Sequence, residues 1–162
     1  MQSSLESSRA TSAAEVSHLK SHIGFWMRLV SNHVSQSFAH KLLASDVTVA
    51  EWVVLREMYG LDAVAPSALA EKIGMTRGAI SKLIDRLLAK QMVTREECSN
   101  DRRFQSVALT HKGRKIVPKL AALADENDEE FFSALSGPER KALVALLQKL
   151  AKAKDLRRLP TE

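Results

Sequence analysis

At 162 residues, 45% of them hydrophobic and 27% charged, the chain can bury one real core but is about one domain's worth of sequence. A formal net charge of +5 favours an anionic partner, either nucleic acid or a membrane surface. No apolar run approaches the ~18 residues of a membrane span and no signal-peptide pattern opens the chain, so a cytoplasmic protein without a membrane partner is expected.

Residues 1–14 are polar and rich in Ser, Ala and Thr; they offer too little apolar surface to offset their ordering entropy and read as a flexible tail. Residues 15–44 then read as a long helix. Leu19, Ile23, Trp26, Val30, Val34, Phe38 and Leu42 recur near a 3.5-residue spacing, a seam suited to packing on another helix. At residues 47–52 a capping box of Thr48 with Glu51 coincides with a hydrophobic staple of Val47 with Trp52, which starts a second helix at Val49 and lets it end at Gly60. Residues 61–65 form a loop.

Pro66 opens a short third helix, with Ser67 as its expected cap, Leu69, Ala70 and Ile73 facing inward, and Gly74 able to take the positive φ of a tight turn. Thr76 is a good N-cap for the next helix, and Met75 can staple onto Ile80. In that helix Ile80, Leu83, Ile84, Leu87 and Leu88 recur at i, i+3, i+4, i+7 and i+8, which makes one face core. The opposite arc holds Arg77, Gly78, Ser81, Lys82, Asp85 and Arg86, cations and small side chains able to approach a phosphate backbone. Two helices joined by so short a turn must cross steeply, the helix-turn-helix arrangement. Residues 92–98 and 106–110 are strand-like, separated by a tip containing Asp101, Arg102 and Arg103. The expected fold is therefore mainly α, with a winged helix-turn-helix over residues 48–110 made of three helices and a two-stranded wing.

After the wing, Thr110 caps a long helix from His111 carrying Ile116, Val117, Leu120 and Leu123 on one side, with Pro118 bending it. The acidic run 125–130 would be repelled by phosphates and should face away from DNA. A break at 135–139, with Ser136 and Glu139 as a second capping box, leads to a last helix striped by Leu143, Leu146, Leu147, Leu150 and Leu156. The helical regions 15–45 and 111–158 carry more apolar surface than one winged domain can cover, so a homodimer is expected, with these regions as its interface.

The contacts expected on double-stranded DNA fall into classes. Ser67, Lys82 and Lys90 are candidates for phosphates; Arg77 and Arg86 are candidates for base edges, since arginine pairs bidentately with guanine. Thr76, Gly78, Ala79 and Ser81 permit close approach or touch a thymine methyl. Arg103 is expected in a narrow minor groove, oriented by Asp101, with Arg102 toward the backbone. In a two-fold dimer, reading helices ~34–36 Å apart require a roughly palindromic operator.

Ser67-x-Leu69-Ala70, the helix 76–88, and Asp101-Arg102-Arg103 followed by Leu109-Thr110-x-x-Gly113 together resemble the multiple-antibiotic-resistance regulator (MarR) family of bacterial winged-helix dimers, most strongly over residues 48–118. The resemblance implies a transcriptional regulator, in the family usually a repressor. It places residues 76–86 in the major groove and Asp101 and Arg103 at a minor groove, and makes the terminal helices a two-fold interface. It also implies a small aromatic or phenolic acid as effector, in a cleft whose matching residues are His22, Trp26, Trp52, Arg56 and Tyr59; Arg56 would pair with the carboxylate. The competing reading is that Trp26 and Trp52 are core residues and Arg56 pairs with a neighbouring Glu.

His18 and His22 stand at i, i+4, but no nearby Cys or repeated carboxylate set completes a metal site, and no cofactor is expected. Cys98, the one cysteine, excludes an intramolecular disulfide framework and a Cys-based metal cluster; Glu96 and Glu97 beside it disfavour a thiolate. The motifs of nucleophilic, zinc and nucleotide enzymes are absent, so catalysis is not expected. The alternative within the same fold is a winged helix that docks an acidic protein through its basic face, without sequence-specific DNA binding.

Overall fold

The computed structural model describes residues 16–97 and 105–156. The tail expected at residues 1–14 and the wing tip with Cys98, Asp101, Arg102 and Arg103 lie outside the described residues. In chain order the elements are α1 (Ile23–Leu42), α2 (Val49–Met58), α3 (Pro66–Ile73), α4 (Arg77–Ala89), β1 (Val93–Glu97), β2 (Gln105–Leu109), α5 (His111–Phe131) and α6 (Gly137–Ala153). The chain forms two compact units, residues 1–32 and 33–162.

In the first unit the long helix begins later than its apolar spacing predicts. Leu19–Ser21 form a 3-10 turn and His22 is extended, so α1 starts only at Ile23. Local polar contacts fix that turn: the Ser21 hydroxyl donates to the His18 carbonyl and the Trp26 indole N–H to the Lys20 carbonyl, at 2.7 and 2.9 Å. A seam spacing cannot reveal such side-chain competition for backbone groups.

The second unit is built on one core in which Leu42, Val54, Leu55, Leu69, Ile80, Leu87, Val107 and Leu120 have no exposed surface. Fully burying each such aliphatic side chain contributes roughly 1.5–3 kcal/mol. The α2 start is as its sequence dictates: the Thr48 hydroxyl accepts from the Glu51 N–H, and the Glu51 carboxylate accepts from the Thr48 N–H. At α3 the cap differs. Ala65 holds the N-cap position without a side-chain bond, and Pro66 occupies the first turn, leaving Ser67 one position inside the helix and exposed. Proline brings its own φ and one fewer unsatisfied donor, so a hydroxyl cap is not required.

Gly74 closes α3 at φ 77, with its N–H on the Glu71 carbonyl and the Met75 N–H on that of Ala70. The same double bond pattern ends α4: Gln91 N–H reaches Leu88 and Met92 N–H reaches Leu87. There the left-handed residue is Gln91, at φ 59. Nothing in its side chain announces that conformation; the strand that follows imposes it.

The wing pairs antiparallel, Val93 opposite Leu109 through Glu97 opposite Gln105. Val64, in the stretch read from sequence as a loop, adds a single bridge on the other edge of β2: its N–H and C=O both bond Val107 at 2.9 Å. That bridge ties the α2–α3 connection to the base of the wing. α5 runs through Pro118 without interruption. At the α5–α6 turn, Arg140 donates to the Phe132 and Leu135 carbonyls and pairs bidentately with Glu129. Glu126 and Glu130 both reach Lys41, at 2.9 and 2.8 Å, so much of the acidic run is committed to ion pairs that fasten α5 to α1 and α6. No residue of α6 is buried.

Candidate nucleic-acid interface

The site is built on α4. Its core stripe, Ile80, Leu83, Ile84 and Leu87, is buried, and this leaves Thr76, Arg77, Gly78, Ser81, Lys82, Asp85 and Arg86 exposed along the other side, with Ala79 half-buried between the two. Thr76 fixes the start, its hydroxyl accepting the Ala79 N–H at 3.2 Å. A Cβ added at Gly78 would meet nothing within 4 Å. The small residue there fills no internal need, although glycine in a helix costs roughly 0.5–1 kcal/mol relative to alanine.

The charges around this helix are sorted by their partners. Asp85, the acidic group on the exposed arc, is held by Arg95 of β1 at 2.6 Å, which removes a carboxylate that would repel phosphate. Lys72 is paired with Glu57 at 2.7 Å. Arg77 and Lys82 have no ion-pair partner among the described residues and stand exposed. Ser67 is exposed on the first turn of α3.

The C-terminal half of α4 is engaged internally. Glu51, with no exposed surface, receives the Lys90 ammonium at 2.9 Å on Oε2, while Arg86 Nε lies 3.8 Å from Oε1. Lys90 also donates to the Asp46 carbonyl at 2.6 Å. Lys90 is thereby directed into the fold, and Arg86 partly so. Sequence spacing could not show this, because the acceptor lies 39 positions away from Lys90.

Burial pushes the Glu51 carboxyl up, but the Thr48 N–H, the Lys90 ammonium and the Arg86 guanidinium outweigh it and hold the group below its ordinary 4.5. A folded-state value below the unfolded one means stability that is present above pH 4.5 and lost as pH falls through the folded value. The Glu51→Gln variant is therefore expected to show a flatter loss of stability on acidification below that point, measured by urea midpoints across the acid range. An acid limb identical to the wild type's would exclude Glu51 as its source.

The residues proposed for an effector are placed as follows. Trp26 and Tyr59 are each nearly half exposed, and His22 is exposed. Trp52 is half-buried and meets Phe38 edge-on at 6.2 Å. Arg56 is exposed and has no ion-pair partner among the described residues. No group of three or more metal-ligating side chains occurs among the described residues, and no helix there is long and apolar enough to cross a membrane.

A model of the MarR family matches residues 45–103. Among solved structures, the chain is similar to a mutant of MarR from E. coli in complex with operator DNA. Identity there is 26%, with 78% of this chain and 91% of that one covered, at a TM-score of 0.73. BpsR of Bordetella bronchiseptica, whose DNA binding is regulated by 6-hydroxynicotinic acid, matches at 25% identity over 85% of this chain and 98% of that one, TM-score 0.76. MepR of S. aureus, solved with DNA, shares the fold at 24% identity, covering 82% and 98%, TM-score 0.75. The helix-turn-helix of α3 and α4, the β1–β2 wing and these matches together give the chain the winged-helix fold of MarR-family transcriptional regulators, with the family's model met over residues 45–103.

Proposed function

We propose that the protein is a repressor that binds a palindromic DNA operator as a homodimer in the cytoplasm and is released by a small aromatic acid. The observation that carries the DNA-binding reading is the exposed arc of α4, where Arg77 and Lys82 have no ion-pair partner among the described residues and the carboxylate of Asp85 is paired with Arg95. Cations left free beside small side chains suit a phosphate-lined groove, with Arg77 placed for a base edge and Lys82 for the backbone. Ser67, Thr76, Gly78, Ala79 and Ser81 complete the contact surface, together with Arg86 where its guanidinium extends past Glu51. From the sequence, Arg103 is assigned to the wing's minor-groove contact with Asp101 orienting it, and Arg102 to the backbone. The structures of E. coli MarR and S. aureus MepR with DNA support this reading.

Dimerisation is supported by the unburied leucines of α6 and, in the other unit, by exposed Leu19, Ile23, Met27 and Val30. Large apolar side chains left exposed along one helix mark an interface. An effector acid is supported by BpsR, which responds to 6-hydroxynicotinic acid. Trp52, Arg56 and Tyr59 are the residues we assign to it, with Arg56 as the carboxylate partner; His22 and Trp26 are assigned from the sequence alone. The role is binding rather than catalysis.

The test is a gel shift with the DNA upstream of the protein's own gene. Arg77→Ala is expected to cost ~1–3 kcal/mol and to relax base preference, whereas Lys82→Ala weakens all sequences alike and lowers the salt slope. A wild-type protein that binds DNA no better than a neutral control, at any salt concentration, overturns the reading in favour of a winged helix that docks protein.

A further inference from the structure

Glu51 is a charged side chain without exposed surface, and the DNA-reading surface itself makes no use of it. It sits in the first turn of α2, where its Oε2 is shared between the Thr48 N–H and the Lys90 ammonium, each at 2.9 Å. Its Oε1 has no hydrogen-bond partner among the described residues, and Arg86 Nε stands 3.8 Å away. Arg86 and the C-cap Lys90 are one helical turn apart, so a single buried carboxylate bonds the end of α4 through Lys90 and faces the Arg86 guanidinium one turn earlier. Lys112 of α5 closes the arrangement by donating to the Lys90 carbonyl at 2.8 Å. A capping box in α2 alone needs only the Thr48–Glu51 exchange and does not explain why two cations of the reading helix converge on the same group.

We propose that Glu51 is a positioning residue for the DNA-reading helix: through Lys90 and Arg86 it fixes the axial position and tilt of α4, and so sets sequence discrimination rather than overall attraction to DNA. The proposal rests on the DNA-binding reading above. Its physical basis is that base-edge hydrogen bonds fail with displacements of about 1 Å, whereas attraction between cations and phosphates changes little over the same distance. Lys90, though cationic and near the interface, acts inward and contributes no phosphate contact.

The experiment uses the full chain and two variants, Glu51→Gln and Lys90→Met. Lys90 is partly exposed, so the second variant keeps the protein folded should the first fail to fold. Two readouts are taken. In hydrogen exchange without DNA, Lys90→Met is expected to speed exchange several-fold at residues 85–90 while leaving α3 unchanged. In DNA titrations, operator affinity is expected to fall roughly tenfold or more, with affinity for non-operator DNA within about twofold. The slope of log affinity against log salt should stay at its wild-type value in Lys90→Met, whereas loss of a phosphate contact reduces it by about 0.9 per contact.

Unchanged exchange at residues 85–90, or an acceleration spread evenly over the whole domain, overturns the proposal, as does an operator affinity that falls in parallel with non-operator affinity. A wild-type protein that binds no DNA overturns the DNA-binding reading and the discriminating role of Glu51 with it. The exchange data then still decide whether the grip on α4 exists, so the two failures are told apart.

Discussion

Replacing Gly113 with alanine is expected to destabilise the protein by roughly 3 kcal/mol or more, the upper end of what overpacking costs. A Cβ at this position would lie 2.0 Å from the Met92 carbonyl oxygen and 3.0 Å from its carbonyl carbon. Neither is the movable end of a side chain. Met92 is pinned on both sides: its N–H bonds Leu87 at the end of α4, and its carbonyl accepts the Thr110 N–H at 3.1 Å. Thr110 is fixed in turn, since its hydroxyl donates to the Gln91 carbonyl and accepts the Gly113 N–H. The end of α4, both feet of the wing and the start of α5 thus meet at one backbone crossing that has room for a hydrogen and nothing larger. Any shift that admits a methyl group must break one of these bonds and leave a buried backbone group unpaired, at ~1–3 kcal/mol. Urea denaturation of Gly113→Ala against Gly137→Ala is the measurement, because a Cβ at Gly137 meets nothing within 4 Å and that variant should be near neutral. A Gly113→Ala protein within about 1 kcal/mol of wild type would show that the crossing yields easily and that the close approach is not structural.

Placing two negative charges on α6, by Leu147→Glu with Leu150→Glu, is expected to convert the proposed dimer to a folded monomer and to weaken operator binding by at least ~100-fold, since each reading head then binds without its tethered partner. The protomer itself should survive. No residue of α6 is buried, and Leu147 and Leu150 are 42% and 48% exposed, so the substitutions remove no packing from the core that supports α4. What they remove is the advantage of covering Leu143, Leu147 and Leu150 with a second copy of the same face, where a buried carboxylate without a partner is strongly unfavourable. Sedimentation velocity reads the assembly, far-ultraviolet circular dichroism reads the fold, and titration of a palindromic site reads the coupling of the two. If the doubly charged variant stays dimeric, α6 is not the interface. If it becomes monomeric with operator affinity intact, dimerisation does not serve DNA recognition.

Much of the fold was legible because it is dictated at short range. Thr48 with Glu51, Thr76 ahead of α4, Thr110 ahead of α5 and Gly74 after α3 each act within three or four residues, and the structure has all four in those roles. The inward stripe of α4 follows from helical periodicity alone, and with it the exposed arc that carries Arg77 and Lys82. Where two local signals competed, at Pro66 and Ser67, the proline's fixed φ made the hydroxyl cap unnecessary, and where side chains bonded backbone carbonyls ahead of Ile23 the helix was delayed.

Amino-acid order alone therefore determined which segments are helix or strand and which face of α4 stays exposed, since propensity, capping and periodicity operate between neighbours. Only the tertiary structure decided which cations remain available. Lys90 has the same sequence signature as Lys82, yet a carboxylate far away in the chain draws it inward and lies beside Arg86, and Asp85 is paired with an arginine on the wing. The bridge at Val64 and the crossing at Gly113 belong to the same class. Such contacts depend on the distance between atoms after folding, a quantity that no local pattern encodes.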